Sequence, residues 1–243
     1  MNKRVFLLWL AVGLLCLGLL FTPSGWAAIQ RMQLIRTSTP RPAGEGLLTE
    51  QARSIPALYA LHAASSLEQT LTWEESQDAR ADLQCLLDEI PALEAAGVFT
   101  AKDRAVLEQY LLQEEFSLQT AKADLLLCFS GSSVQEPPVP SRYIEWQMDT
   151  QEGLLVSASL PLIAEQTAPQ MLAAYRAYLG VDALSDWQTV NLPEGLGGEN
   201  AAALWSAQGQ AYLYCACDGW RTFLGLYAMS REELEALFDA GTL

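Results

Sequence analysis

An uncharged apolar run near the amino terminus, Val5 to Phe21, is the feature that most constrains how this chain can fold. A helix rises about 1.5 Å per residue, so these seventeen residues span roughly 26 Å, close to the thickness of a bilayer's hydrocarbon core. Such a segment prefers lipid to a small globular core, and we predict a signal anchor or transmembrane helix over residues 1–29. The side chains expected to contact the membrane are Val5, Phe6, Leu10, Leu14, Leu20, Phe21 and Trp26.

The flanks of this run bear on its cleavage and its orientation. Gly25 and Ala27 offer a signal-peptidase site after Ala27, and cleavage there would release a secreted soluble binding protein. We favour an uncleaved anchor, because the run is long for a signal peptide and Trp26 suits the headgroup layer. Lys3 and Arg4 directly precede the run, which places the body outside the cytoplasm. The arginines beyond it, which nearly balance that charge, are Arg31, Arg36 and Arg41.

Charge separates the anchor from the body. Residues 43–243 contain all 29 acidic residues of the chain but only nine of its 14 basic residues, so their formal net charge is −20. Such a surface repels phosphate backbones, which bind proteins through lysine and arginine, and we expect no nucleic-acid partner. The partners that we expect are membrane lipid, bound by the N-terminal helix, and an envelope protein or polymer.

Composition and spacing divide the remaining chain into four segments. Residues 30–46 are basic, contain two prolines and have no apolar period, which is typical of a juxtamembrane linker. Residues 47–129 carry apolar side chains at helical spacing, with a capping-box pattern at Thr100 and Asp103, and predict three helices in a small bundle. Residues 130–141 contain three prolines and four serines, so we predict a second linker there.

The apolar period changes to two in the last segment, residues 142–243. Ile144, Trp146 and Met148 alternate with polar residues, and Asp218-Gly219 is typical of a tight hairpin. We predict a sheet of about five to six antiparallel strands with two helices. The whole chain is therefore expected to be an α+β protein, with an N-terminal membrane-spanning helix and a three-helix bundle-like segment before this sheet.

No residue pattern in the sequence indicates catalysis, a cofactor or a metal ion. His62 is the only histidine and lies in a predicted helix among alanines, so imidazole-dependent triads and most zinc sites are not expected. A carboxylate-dependent hydrolase of envelope polymers is the alternative, and it would need two carboxylates about 5 to 10 Å apart in a cleft. We expect no catalytic residue, no cofactor and no metal ligand.

Four cysteines lie outside the apolar run. In a helical hairpin Cys85 and Cys128 would be offset by about 22 Å, too far for a disulfide. Cys215 and Cys217 share one face of a predicted strand. We expect them to be small buried thiols rather than half of a metal site.

Aromatic residues are concentrated in the carboxy-terminal half of the chain. Alternation along an antiparallel sheet turns some of them outward unless both faces are covered. Exposed tryptophan and tyrosine dominate many binding surfaces, so we predict a membrane-anchored, extracytoplasmic interaction or sensing module without enzymatic activity. The predicted interaction surface consists of Tyr212, Tyr214, Trp220 and Trp146.

Overall fold

The computed structural model describes residues 48–66, 71–134, 143–193 and 200–239. The chain divides into two compact units, one of Pro40–Leu234 and one of Met1–Thr39 with Glu235–Leu243, and every strand below belongs to the first. The predicted anchor over 1–29 and linker over 30–46 lie outside the described residues. In the part of the chain that the structure describes, no helix combines the length and the apolar character that crossing a bilayer requires.

Six helices lie in the described ranges, and side-chain caps set where several of them begin. Asp78 accepts a hydrogen bond from the backbone of Ala81 at the start of the third helix. Thr100 and Asp103 form the predicted capping box at the start of the fourth, and this prediction is confirmed. The helices are α1 (Glu50–Arg53), α2 (Pro56–Ser66), α3 (Ala79–Ala95), α4 (Ala101–Gln113), α5 (Ala168–Tyr178) and α6 (Arg231–Asp239).

Nine strands in the same ranges form one antiparallel sheet, which makes the protein α+β, as predicted. The strands are β1 (Glu74–Glu75), β2 (Phe116–Ala123), β3 (Leu126–Ser133), β4 (Tyr143–Asp149), β5 (Leu155–Leu160), β6 (Gln188–Thr189), β7 (Asn200–Ser206), β8 (Ala211–Cys217) and β9 (Thr222–Ala228). Their spatial order is β1-β2-β3-β4-β5-β9-β8-β7-β6. The sheet thus consists of two meanders, β2 to β5 after α4 and β6 to β9 after α5, which join where β5 pairs with β9.

The register of the strands separates a core face of the sheet from a second face. Trp146 lies opposite Phe129 on one neighbouring strand and opposite Ala158 on the other, so these three side chains share the core face. Helices α2 to α5 supply residues to the same apolar cluster, among them Leu58, Leu86, Leu107 and Met171. Tyr212 and Tyr214 lie on the second face, because Leu213 and Cys215, which alternate with them along β8, are on the core face.

The helical prediction for residues 47–129 is wrong at its carboxy-terminal end. Phe116–Ala123 and Leu126–Ser133 are adjacent strands, joined by a tight turn in which Asp124 has a φ of 47°. Buried Phe116 and Leu118 alternate with exposed neighbours, which is the period of a strand, but so short a run also fits helical spacing. The described residues between 143 and 239 contain six strands and two α-helices, as predicted for that segment, and residues 74–133 add three further strands to the same sheet. The predicted linker 130–141 begins inside β3 and leads to its hydrogen-bonded neighbour β4.

His62 makes the stability of this fold sensitive to pH. The side chain is buried in α2, and its Nε2 lies 2.9 Å from the carbonyl oxygen of Gly209. Burial lowers the pKa of His62 below 6.5, although the Gly209 contact and the charge of Glu233 act in the opposite direction. Near pH 6.5 the imidazole of His62 is therefore protonated more readily in the unfolded chain than in the folded chain.

We expect the free energy of unfolding to fall as the pH drops from 7 towards 5, with a slope of at most about 1.4 kcal/mol per pH unit from this single proton. Urea unfolding of the wild type and of His62→Gln at pH 7, 6 and 5 measures the effect. Glutamine retains an N–H donor for Gly209 but does not titrate, and the chain has no other histidine. Identical pH slopes in the two proteins would contradict the assignment.

Candidate functional site

A groove opens at one end of the sheet, where the two meanders meet. It encloses about 340 Å³ between the first turns of α4, the loop 161–165 after β5 and the turn between β8 and β9. We call it the Trp220 groove. Its lining residues are Lys102, Asp103, Val106, Pro161, Leu162, Ile163, Glu165 and Trp220.

Each of the three segments exposes one large apolar side chain at this groove. Trp220 is 73% exposed, Ile163 is 58% exposed and Val106 is 48% exposed. A single exposed apolar residue is ordinary on a protein surface, but three of them around one concavity indicate an interaction site. Covering them would release a free energy of roughly 25 cal/mol for each Å² of apolar surface.

Hydrogen bonds fix the turn that carries Trp220. The Oδ1 atom of Asp218 accepts from the backbone N–H groups of Trp220, at 3.1 Å, and of Arg221, at 2.9 Å. The Nη2 atom of Arg221 then donates to the carbonyl oxygens of Tyr143, at 2.5 Å, and Ser159, at 3.1 Å. These bonds tie the turn to β4 and β5, so the backbone that carries Trp220 is fixed before any partner binds and less entropy is lost on binding.

The loop 161–165 is bonded to the elements on both of its sides. Buried Thr222 of β9 donates its hydroxyl to the carbonyl oxygen of Leu162, at 2.6 Å, and accepts from the backbone N–H of Ala164, at 3.2 Å. On the other side, Oδ1 of Asp103 accepts from the backbone N–H of Glu165, at 3.1 Å. The apolar apex of the loop is therefore held between a strand and a helix.

The two carboxylates of the groove, Asp103 and Glu165, do not suit acid–base catalysis. Asp103 is 2% exposed and also accepts hydrogen bonds from the backbone N–H and the hydroxyl of Thr100, both at 2.9 Å. A hydrogen bond from Lys102 lowers the pKa of the Glu165 carboxyl. The acid of a glycosidase pair needs a raised pKa, so Glu165 does not fit that role, and both carboxylate oxygens of buried Asp103 are already bound by N–H or O–H donors.

Other chemistry-bearing side chains lie away from the groove. In the described ranges, no group of three or more His, Cys, Asp or Glu residues is arranged to hold a metal ion. Cys85, Cys128, Cys215 and Cys217 are free thiols, and only Cys85 is exposed. Burial raises the pKa of Cys128 to about 11, so this thiol stays protonated and unreactive at neutral pH.

The structure does not bring the four predicted interaction residues together. Trp220 lies in the groove, whereas Trp146 is 1% exposed and stacks on Phe129 in the core. Tyr212 and Tyr214 lie on the second face of the sheet, where their rings are 6.2 Å apart and Tyr212 is buried. Sequence reasoning misses Ile163 and Val106. The only sequence signal for Ile163 is the short apolar run Pro161-Leu162-Ile163 in a loop, and Val106 is one apolar residue within α4.

Comparison with protein-family models, with curated proteins and with solved structures finds no match for this chain. Its function is therefore inferred from the groove itself. An exposed indole, two exposed aliphatic side chains and an ion pair between Lys102 and Glu165 surround the concavity. Such an arrangement suits the binding of a partner's side chains.

Proposed function

We propose that this chain is a membrane-anchored, extracytoplasmic module that binds a partner protein through the Trp220 groove and does not catalyse a reaction. The observation that carries the proposal is the exposed Trp220 on a turn fixed by Asp218 and Arg221. Tryptophan and arginine are enriched among the residues that dominate binding energy. The anchor is the predicted segment 1–29.

The groove and the start of the described chain lie at opposite ends of the sheet. The hydroxyl of Thr49 donates to the carbonyl oxygen of Gln208, in the turn between β7 and β8. Trp220 lies in the turn at the other end of β8. That strand has seven residues and spans roughly 24 Å. The described chain thus begins at the end of the sheet remote from the groove.

Two alternatives stay distinct from this proposal. Cleavage after Ala27 would present the same groove in a secreted soluble protein, and sequencing the amino terminus of the mature protein separates the two cases. A carboxylate-dependent envelope hydrolase would have to use Asp103 and Glu165 if it used this groove. The hydrogen bonds of Asp103 and the lowered pKa of Glu165 speak against that use.

Photo-crosslinking in intact cells of the source organism tests the proposal. A photoreactive residue at position 220 of the full chain is expected to give one discrete adduct with a partner identified by mass spectrometry. Tyr59 is the matched control position, because it is an aromatic residue of α2, 47% exposed and outside the groove. Adding Ile163→Asp should lower the yield at position 220 about tenfold. Equal yields at positions 220 and 59 would contradict the proposal.

A further inference from the structure

We infer that the Trp220 groove binds a cationic segment of its partner, in which a large apolar side chain stands next to lysine or arginine. This inference rests on the proposed docking function and names the chemistry of the partner. The apolar side chain of the partner is inferred from the apolar residues that line the groove. The positive charge of the partner is inferred from the acidic charge of the protein.

The apolar half of the partner is set by the size and lining of the groove. Trp220, Ile163 and Val106 form exposed walls, with Pro161 and Leu162 between them. A volume of about 340 Å³ is at the lower end of the range for ligand pockets. It accommodates about two large side chains of an extended segment, anchored as interface hot spots are.

The cationic half follows from charge complementarity. Two acidic residues and one basic residue line the groove, the adjoining turn contains one acidic and one basic residue, Asp218 and Arg221, and residues 43–243 carry a formal net charge of −20. The hydrogen bond from Lys102 keeps the Glu165 carboxyl ionised by lowering its pKa. That ion pair is exposed and contributes little to stability, so a partner arginine can replace Lys102 at small cost and bind the carboxylate with two N–H groups.

The same charges disfavour two other occupants of the groove. A second copy of this chain would bring together two bodies of formal charge −20, which repel each other. The same net charge repels anionic lipid headgroups. A cationic, apolar segment has the complementary charge and shape.

Fluorescence anisotropy with a labelled peptide tests the inference on the full chain in zwitterionic nanodiscs. The probe is an amidated octapeptide in which Leu-Phe is flanked by two arginines on each side and capped by glycines. We expect a dissociation constant in the micromolar range. One matched peptide has glutamate for arginine and another has Ser-Ser for Leu-Phe, and each should bind at least about tenfold more weakly. Raising NaCl from about 50 to about 500 mM should also weaken binding of the probe about tenfold.

Substitutions in the protein locate the bound peptide. Trp220→Ala should weaken binding at least about tenfold and Glu165→Gln about threefold, whereas Tyr59→Ala should leave the affinity unchanged. Trp220 and Tyr59 are exposed, so both variants should fold, and circular dichroism checks this. If the peptide merely followed the net charge of the body, Trp220→Ala would have no effect, and the inference would be overturned.

The remaining outcomes separate this inference from the docking function. Crosslinks at position 220 without binding of the cationic peptide would overturn the partner chemistry alone, and loss of both would overturn the docking function too. Cosedimentation with phosphatidylcholine or phosphatidylglycerol vesicles that depends on Trp220, without peptide binding, would assign the groove to lipid. Self-association that depends on Trp220 in analytical ultracentrifugation, again without peptide binding, would assign it to a second copy.

Discussion

Replacing Trp146 with alanine is expected to lower the free energy of unfolding by about 3 to 5 kcal/mol. The side chain is 1% exposed, and its ring stacks on Phe129 with centroids 4.6 Å apart and planes 10° apart. Alanine would leave a cavity on the core face of the sheet, because the surrounding strands and helices can close it only in part. Trp146→Phe should cost less, since it fills most of the volume and removes an indole N–H that has no acceptor in the described structure.

Urea unfolding followed by far-ultraviolet circular dichroism measures this effect without relying on indole fluorescence. Trp220→Ala is the matched control, because it removes the same side chain from an exposed position and should change stability by less than about 0.5 kcal/mol. The peptide assay is expected to give the opposite result from the unfolding experiment, because only Trp220→Ala weakens binding of the peptide. A Trp146→Ala protein within about 1 kcal/mol of the wild type would contradict the burial of this ring.

Local chemistry makes some of this fold readable from sequence. The capping box of Thr100 and Asp103 depends on residues three apart, and the Asp218-Gly219 turn between β8 and β9 depends on adjacent ones. Alternation of Ile144, Trp146 and Met148 likewise identifies β4. Each of these signals is complete within a few residues, so no knowledge of the distant chain is needed.

Partners distant in sequence determine the parts that local patterns misplace. The strands Phe116–Ala123 and Leu126–Ser133 are stabilised by pairing with each other, and the second of them also pairs with β4. The spacing of the leucines in these strands also fits the apolar face of a helix. Only the pairing of the strands determines that this part of the chain forms a sheet. The same holds for Trp146 and Trp220, because whether an aromatic residue is buried depends on which face and which end of the sheet it occupies.

The Trp220 groove depends most strongly on contacts between distant parts of the sequence. Val106, Ile163 and Trp220 come from a helix, a loop and a turn that are more than fifty residues apart in sequence. None of the three segments has a motif that indicates binding. Asp103 is different, since its capping pattern is local while its bond to Glu165 is not. The bond to Glu165 joins α4 to the loop 161–165, and its contribution can be measured separately from that of the helix cap.

Replacing Asp103 with alanine is expected to lower the free energy of unfolding by about 2 to 4 kcal/mol, because it removes a helix cap and leaves the backbone N–H of Glu165 without its acceptor. Gln170→Ala is the matched control. The side chain of Gln170 accepts from the backbone and hydroxyl of Thr167 in the same way, but it only caps α5. That variant should lose about 1 kcal/mol or less.

The difference in unfolding free energy between these two variants measures the hydrogen bond between the backbone N–H of Glu165 and Asp103. Hydrogen exchange read by mass spectrometry should be faster over residues 161–166 in Asp103→Ala than in the wild type, and unchanged there in Gln170→Ala. A loosened loop no longer presents Ile163 in a fixed position, so the cationic peptide should also bind several-fold more weakly to Asp103→Ala. Wild-type exchange rates in this loop of Asp103→Ala would show that the loop does not need its bond to Asp103, and that its other bonds, such as those of Thr222 to Leu162 and Ala164, are sufficient.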